Sequence, residues 1–584
     1  MRFSFIFIYI FIRFIRMITH HINPADSRYL FLSIDNQREA KALTEYLNQV
    51  PQYMFLPSYT SIPKPEVHLN FIDRDGKRIY WVWSGLYLEV LNWCREKGIQ
   101  TTLTDGLFYR KPKHTLEEFK QIVDSWGLSL KPYDYQYEAA YNILSYTQSL
   151  SEIATRAGKT LIGYMVFRYL MQEEGCRKIL MVVPSITLVK QGFEDFNTYA
   201  EFFKTETVWA KGESVSCPNL TIGTFQSLVK RCDKRSAKYD PHYFNGYDVV
   251  LIDEVHNAKA QSIREILSQP FMKTVKFKFG FSGTLPLKGT LDAFNVQELM
   301  GGKIQDITPK ELIDGGFISD IHITQYRLKY PELTNHYLRD EYIKAGEYLC
   351  STFDKDKTMR PKAERDIAMV YEKSLPYNLR TLKQKIDNEE NEWIKENKIL
   401  QYTDYLIDLC KANGSNLLVM ENYIAHHSQK KLRLIKDIVR RSNDGNIILF
   451  FHYNEYCKYI YDILKTEFPD RQVLCMTGAS TPKKREEYKR LMKENDNVVL
   501  CANYGVSSTG LTLRLKYGVF VESFKSHTVV KQSAGRGLCL DKGKDKFQLY
   551  DLIDVLPTGK IANQGRAKIK IYKQEEFKYD IIDL

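Results

Sequence analysis

The ten cysteines of this 584-residue chain form no CxxC pair and no Cys/His spacing of the kind that ligates zinc. That excludes a zinc finger and a disulfide framework, and it fits a reduced, intracellular protein. Long apolar runs are also missing. The longest apolar stretch, Phe3 to Ile12 with Ser4 inside it, is about half of the roughly 20 residues a helix needs to span a bilayer, and no small-residue cleavage site comes after it. No stable membrane association is expected, and the location is the cytoplasm. The leader, residues 1–16, differs so much from the rest of the chain that two readings stay open: a hydrophobic leader translated from Met1, or translation starting at Met17. No repeat or low-complexity tract of any size appears, which argues against a solenoid or a disordered chain. Acidic excess is absent as well: the formal charge is +12, which favours a polyanionic partner such as nucleic acid. A hydrophobic content of 44% and a charged content of 26% fit a folded protein. The length requires several cores.

Residues 17–125 read as a small α+β domain. YLFLSI, HLNFID and RIYWVW have the look of strands, Asp75-Gly76 is a hairpin signal, and Leu86 to Lys97 has helical spacing ended by Gly98. Residues 126–325 alternate strands and helices, the pattern of a parallel sheet covered on both faces. KILMVVP, NLTIGTF, YDVVLIDE and FKFGFSGT are its clearest strands. Residues 326–442 depart from that alternation and read as a linker with a helical insertion, and 443–584 read as a second α/β lobe. AKIKIYKQEEFKYDIIDL at the C-terminus reads as a strand and a short amphipathic end.

The chemistry concentrates in the middle third. ATRAGKT, ending at Thr160, supplies a glycine-containing turn whose N–H groups can wrap phosphates, a lysine for their charge and a hydroxyl for magnesium. Lys159 opens a helix whose N-terminus faces an anion favourably. A GKT tripeptide alone occurs by chance, and a bare DE pair is usually a solvated turn. Here, however, the apolar run Val249 to Ile252 delivers Asp253 and Glu254 to the end of a strand, where open α/β sheets place ligands. One carboxylate can hold magnesium through water while the other orients and deprotonates the attacking water. The two signals together imply NTP hydrolysis, with Thr160 and Asp253 as the metal positions. QSAGRG, from Gln532, is a third signal and implies coupling to motion between two lobes.

In this order the segments resemble the superfamily 2 helicases and translocases over roughly residues 125–555, and within them the UvsW family, with RecG-like and XPB-like members more distant. YDYQ holds Gln136 where the family reads adenine. VVPSITL, GTFQS, DEVH, SGT from Ser282, NIILFFH, YGVSSTGLTL and QSAGRG are its successive motifs, and FGFSGTL, ELIDGGFIS, TGAST and LYDLIDV add to the likeness. The resemblance implies two RecA-like parallel-sheet lobes using ATP and Mg²⁺. Gln136, Thr155, Ala157, Gly158, Lys159, Thr160 and Asp253 would bind the nucleotide together with Gly510 and Arg536. Lys159, Asp253, Glu254, His256, Gln532 and Arg536 would be catalytic. His256 would link the nucleotide to the SGT segment. Pro184, Thr187, Thr224, Gln226, Thr477, Gly478 and Thr509 would line the nucleic-acid path.

Two departures stand out. Cys539 occupies the position of the last arginine of the QxxGRxxR pattern, and Arg156 lies in a loop where many relatives have glycine or serine. The basic stretch HHSQKKLRLIKDIVRR, from His426, either reaches phosphates or covers the second lobe. PKKREEYKRLMK, from Pro482, reads as a surface helix with Tyr488, Leu491 and Met492 as its apolar stripe. The expectation is a monomeric DNA helicase or translocase acting on branched or duplex DNA in recombination, repair or replication restart, of phage origin by resemblance. An RNA helicase, a restriction-type duplex translocase and a weakly hydrolysing ATP-gated clamp are the alternatives.

Overall fold

The computed structural model describes residues 17–329 and 428–584, apart from 24–25, 35–36, 50–67, 73–77, 104–107, 210–211, 213, 258–264, 268, 287–289, 505–512, 525, 540–545 and 557–558, together with a few residues between 385 and 426. The leader, the Asp75-Gly76 turn and most of residues 331–427 of the insertion therefore lie outside the described residues. The chain forms two compact units, Met1–Phe317 and Ile318–Leu584. Among the described residues, no helix is long and apolar enough to cross a membrane.

The first unit opens with a five-stranded mixed sheet of β1 (Met17–Asn23), β2 (Asp26–Ile34), β3 (His68–Ile72), β4 (Arg78–Trp83) and β5 (Gln100–Leu103), in the order β3-β4-β2-β1-β5. Alternation decides which face is buried. Leu30, Leu32 and Ile34 of β2 and Tyr80 and Val82 of β4 point into one core with Leu43 and Leu47 of the helix Gln37–Gln49 and Val90 and Trp93 of the helix Tyr87–Glu96. This subdomain is not detached from the next sheet. Phe294 completes its core, and Ser84 donates to Gln148 Oε1 at 3.0 Å.

The rest of the first unit is a seven-stranded sheet of β6 (Gln148–Ile153), β7 (Ile179–Val183), β8 (Thr205–Val208), β9 (Leu220–Thr224), β10 (Val249–Asp253), β11 (Phe277–Ser282) and β12 (Lys303–Ile307). Its order is β12-β6-β11-β10-β7-β9-β8, with every pairing parallel. ILMVV in β7 and LTIGT in β9 are buried at all five positions, as strands covered on both faces must be. All seven strands run the same way, so the polar residues just past β6, β7, β9, β10 and β11 meet at one edge.

The second unit has its own seven-stranded parallel sheet of β13 (Asp320–Lys329), β14 (Ile447–Phe451), β15 (Gln472–Met476), β16 (Val498–Asn503), β17 (Tyr517–Phe520), β18 (Lys546–Val555) and β19 (Lys578–Asp583), in the order β15-β16-β14-β17-β18-β13-β19. β13 runs across the 325/326 boundary expected from sequence and pairs with β18 along its whole length. The helix Gln429–Arg441, expected in the linker, buries Ile435, Ile438 and Val439 in this unit's core. Its Lys431 forms a fully buried ion pair with Asp554 at 2.6 Å. Of the two roles open to this basic stretch, the helix therefore takes the covering one. The helix Pro482–Glu494 buries Tyr488 and Met492 as its stripe predicts.

One expectation is corrected outright. AKIKIYKQ is the second half of the helix Lys560–Gln574, and the strand begins only at Lys578. Its alternation looks strand-like, but Ile561, Lys568, Ile571 and Tyr572 are the buried positions, and that is helical spacing. Burying Lys568 is tolerated because it pairs with Asp551, itself fully buried.

Candidate active site

β6 leads into the loop Ala154–Gly158 and then the helix Lys159–Glu173, whose residues Leu161 to Phe167 are all buried. A helix enclosed on every side cannot slide, so its N-terminus is fixed at the sheet edge. Gly158 makes the turn at φ +80, and a Cβ there would stand 2.2 Å from Gln136 Nε2. Only glycine meets both conditions. Arg156, at φ 78, also occupies left-handed backbone, a conformation that glycine adopts without strain. Gln136 is buried, accepts the Tyr133 N–H on Oε1 at 3.0 Å and donates through Nε2 to Ala157 O at 3.0 Å. Tyr135 Oη donates to the same carbonyl at 3.1 Å. The loop is thus held through Ala157 by two donors. Sequence reasoning missed Tyr135, although it lies within the quoted YDYQ.

From the other side, β10 ends at Asp253, and Glu254 turns the chain at φ 49. The Glu254 N–H donates to Asp253 Oδ1 at 3.0 Å. Lys159 Nζ reaches Glu254 Oε1 at 2.7 Å. His256 Nδ1 lies 3.3 Å from Glu254 Oε2 and 2.6 Å from Ser282 Oγ. Ser282 donates its own proton to Thr284 O at 2.6 Å, so it accepts from His256, which puts that proton on Nδ1. Lys159, Glu254, His256 and Ser282 therefore form one continuous polar chain from the phosphate-type loop through β10 to the end of β11. A small pocket lined by Lys159, Thr160, Gly163, Phe167, Met181, Leu251, Asp253 and Phe281 lies beneath it.

Burial pushes the Asp253 carboxyl up to about 6, and the neighbouring Glu254 charge adds to this while Lys159 opposes it. For Glu254, burial also acts to raise the value, but the Lys159 ammonium and His256 outweigh it and hold the carboxyl below its ordinary range. Two carboxylates side by side with one ammonium leave uncompensated negative charge at Asp253. That is the electrostatic setting a divalent cation relieves. Among the described residues, no group of three or more His, Cys, Asp or Glu could hold a metal alone. Thr160 and Asp253 fit magnesium only as partners of a ligand that brings its own oxygens.

The candidate nucleic-acid positions divide by exposure. Pro184 comes directly after β7, and Thr187 is in the first turn of the helix Ile186–Tyr199, both half-exposed. Gln226 is exposed at the start of the helix Phe225–Cys232. Thr224 is buried, and its hydroxyl accepts the Ser227 N–H as a helix cap. Thr477 is buried, with its N–H donating to Ser480 Oγ at 3.0 Å, while Gly478 is open to solvent. The hydroxyls of Thr224 and Thr477 are thus not free surface groups. Thr509 and Gly510 lie outside the described residues. In the second unit, Gln532 and Arg536 are buried on the helix His527–Arg536. Just beyond it, the Cys539 carbonyl accepts from Ser319 Oγ at 2.9 Å, which ties this end to the start of β13.

Sequence reasoning also missed Glu522. Its buried carboxylate accepts the N–H groups of His452 and Tyr453, and His426 Nε2 lies 2.6 Å away. A glutamate after an apolar strand reads as a surface residue, and nothing local marks it as a loop anchor.

Two parallel-sheet units, with a phosphate-type loop in the first, are the architecture expected from the resemblance to superfamily 2 helicases. Residues 129–287 match the family described as Type III restriction enzyme, res subunit, and residues 430–539 match the Helicase conserved C-terminal domain. The chain is similar to the ATP-dependent DNA helicase uvsW of Enterobacteria phage T4, being 24% identical over 523 residues that cover 85% of this chain and 86% of that protein. It is also 24% identical over 199 residues to the type I restriction enzyme SauCOLORF180P endonuclease subunit of Staphylococcus aureus (strain COL), covering 32% of this chain and 21% of that one. Among solved structures, T4 UvsW aligns with 97% of this chain and 99% of its own at 18% identity and a TM-score of 0.41.

Proposed function

We propose that the chain is an ATP- and magnesium-dependent motor that remodels branched or duplex DNA in recombination, repair or replication restart. The polar chain Lys159–Glu254–His256–Ser282 carries this reading. Lys159 is the ammonium of this chain, and it opens the helix behind the phosphate-type loop. When a triphosphate competes for that ammonium, Glu254 loses its partner and becomes free to orient and deprotonate water. The triphosphate supplies the bond to be cleaved, and magnesium supplies charge neutralisation, held by Thr160 and Asp253. Loss of the Lys159 contact is felt at His256, which shares Glu254, and hence at Ser282 and the SGT turn. That route links the state of the nucleotide to the movement of the polypeptide. Gln532 and Arg536 act from the second lobe, with Arg536 offsetting charge on the transferred phosphoryl group. Pro184, Thr187, Thr224, Gln226, Thr477, Gly478 and Thr509 lie along the nucleic-acid backbone, and Gly510 belongs with the nucleotide-binding residues.

Similarity to a named DNA helicase over most of the chain supports DNA over RNA. Similarity to restriction subunits supports a second reading, translocation along duplex without strand separation. We take the motor to act as a monomer in the cytoplasm. The test is strand separation on a labelled four-way junction and displacement of a triplex strand from linear duplex, each with ATP and magnesium. Junction unwinding supports the proposal. Triplex displacement without unwinding favours the restriction-type reading, and activity on RNA duplexes alone overturns both.

A further inference from the structure

Trp209 takes no part in the site described above, yet it stands beside the proposed nucleic-acid path. β7, β9 and β8 are neighbours in register, with Val183 opposite Thr224 and Val208 opposite Gly223. Their ends therefore deliver Pro184, Gln226 and Trp209 in a row along one sheet edge. The helix Ile186–Tyr199 turns Val189, Gly192 and Phe196 into the sheet and leaves Ile186 and Lys190 exposed. Lys190 is three residues from Thr187 and so shares its face. Lys190 Nζ lies 5.0 Å from the centre of the Trp209 ring, and the ring is only half-buried. Its backbone is constrained too. The Gly212 N–H donates to Trp209 O at 3.2 Å, and a Cβ on Gly212 would fall 2.0 Å from Thr207 O, so only glycine closes this turn. A large aromatic is thereby held in place, partly exposed and next to a cation, at the outer end of the row.

We propose that Trp209 stacks on an unpaired base of single-stranded DNA, with Lys190 taking an adjacent phosphate. The inference rests on the DNA-motor reading and deepens it: this edge prefers DNA with unpaired bases over intact duplex, because an indole can stack on a splayed base but not on one inside a helix. The row of phosphate contacts would hold either form, and Trp209 would tell them apart.

The test is fluorescence anisotropy with a labelled oligothymidylate strand and a blunt duplex of the same length, using full-length parent, Trp209→Ala, Trp209→Phe and Lys190→Ala. Trp209→Ala is expected to weaken strand binding roughly ten-fold and to leave duplex binding nearly unchanged. Trp209→Phe, which keeps an aromatic face, retains most of the affinity and guards against misfolding of the alanine variant. Lys190→Ala lowers the salt slope on the single strand by about 0.7. Parent-like strand binding by Trp209→Ala, or an equal loss on strand and duplex, overturns the assignment while leaving the motor reading intact. A parent protein that binds neither DNA overturns both.

Discussion

Replacing Asp253 by asparagine should make the nucleotide-free protein more stable and less active, with the gain building up between about pH 3.8 and pH 6 and full above that. In the folded protein this carboxyl titrates at about 6 against an ordinary 3.8, so the native state binds the proton more tightly than the unfolded chain does. The associated stability is fully present below pH 3.8 and is lost as pH rises through about 6. At pH 8 the native state therefore bears the cost of an ionised, desolvated Asp253 beside Glu254, on the order of 3 kcal/mol. Relaxation reduces what can be recovered to about 1–3 kcal/mol. Asparagine keeps the oxygen that accepts the Glu254 N–H and removes the charge. At pH 5 the parent carboxyl is already largely protonated, and Glu254, held below its ordinary 4.5, is ionised at both pH values. The difference between pH 8 and pH 5 therefore isolates Asp253. At roughly 2–4 °C per kcal/mol for a unit of this size, thermal scans without nucleotide should show Asp253→Asn melting several degrees above the parent at pH 8 and by roughly half that margin at pH 5, where the unfolded chain is already ionised at this position and the native state is not. ATP turnover should drop at least a hundred-fold, on the order expected when a metal-holding charge is lost. A variant that melts below the parent at pH 8, or gains equally at both pH values, would refute the electrostatic account of the site.

Three further outcomes rest on the same geometry. Gly158→Ala, strained by about 1–2 kcal/mol at its positive φ and placed against Gln136, should raise the KM for ATP about ten-fold or more. An unchanged KM would mean the loop has another conformation. His256→Ala cuts the side-chain route from Glu254 to Ser282 and leaves only the long Gly283 N–H contact at 3.5 Å among those described, so unwinding should fall several-fold more than ATP hydrolysis, whereas equal losses in the two assays would contradict a coupling role. Arg536→Ala should reduce hydrolysis by about 10³–10⁵ with ATP still bound. Parent-like hydrolysis would shift the role to another residue, and Cys539 makes that comparison informative.

The parts legible in the sequence were those where chemistry restricts the choice of residue. A phosphate loop needs glycine at a positive φ and lysine at a helix start, so Gly158 and Lys159 could be located, and the apolar strand before Asp253 gave the sheet edge. The two parallel sheets were readable from short buried strands such as ILMVV and IILFF. Long-range pairing was much less legible. Nothing in DIHITQYRLK states that β13 will join β18, more than two hundred residues away, and the alternation in AKIKIYKQ misled because Lys568 is buried by an ion pair that sequence cannot reveal. Hydroxyls were ambiguous for a simpler reason. A threonine after a strand can cap the next helix or meet a phosphate, and Thr224 caps. Glu522 and Trp209 gave no local signal, since their meaning comes only from which strand ends stand side by side.

The most direct test of the central claim is steady-state ATP hydrolysis with magnesium, measured for parent and Lys159→Ala in the presence of junction DNA, linear duplex, single-stranded DNA and RNA. The predicted result is hydrolysis by the parent that DNA stimulates, most strongly as a junction, and none above background for Lys159→Ala. Turnover by Lys159→Ala at the parent's rate, or stimulation of the parent by RNA alone, would contradict it.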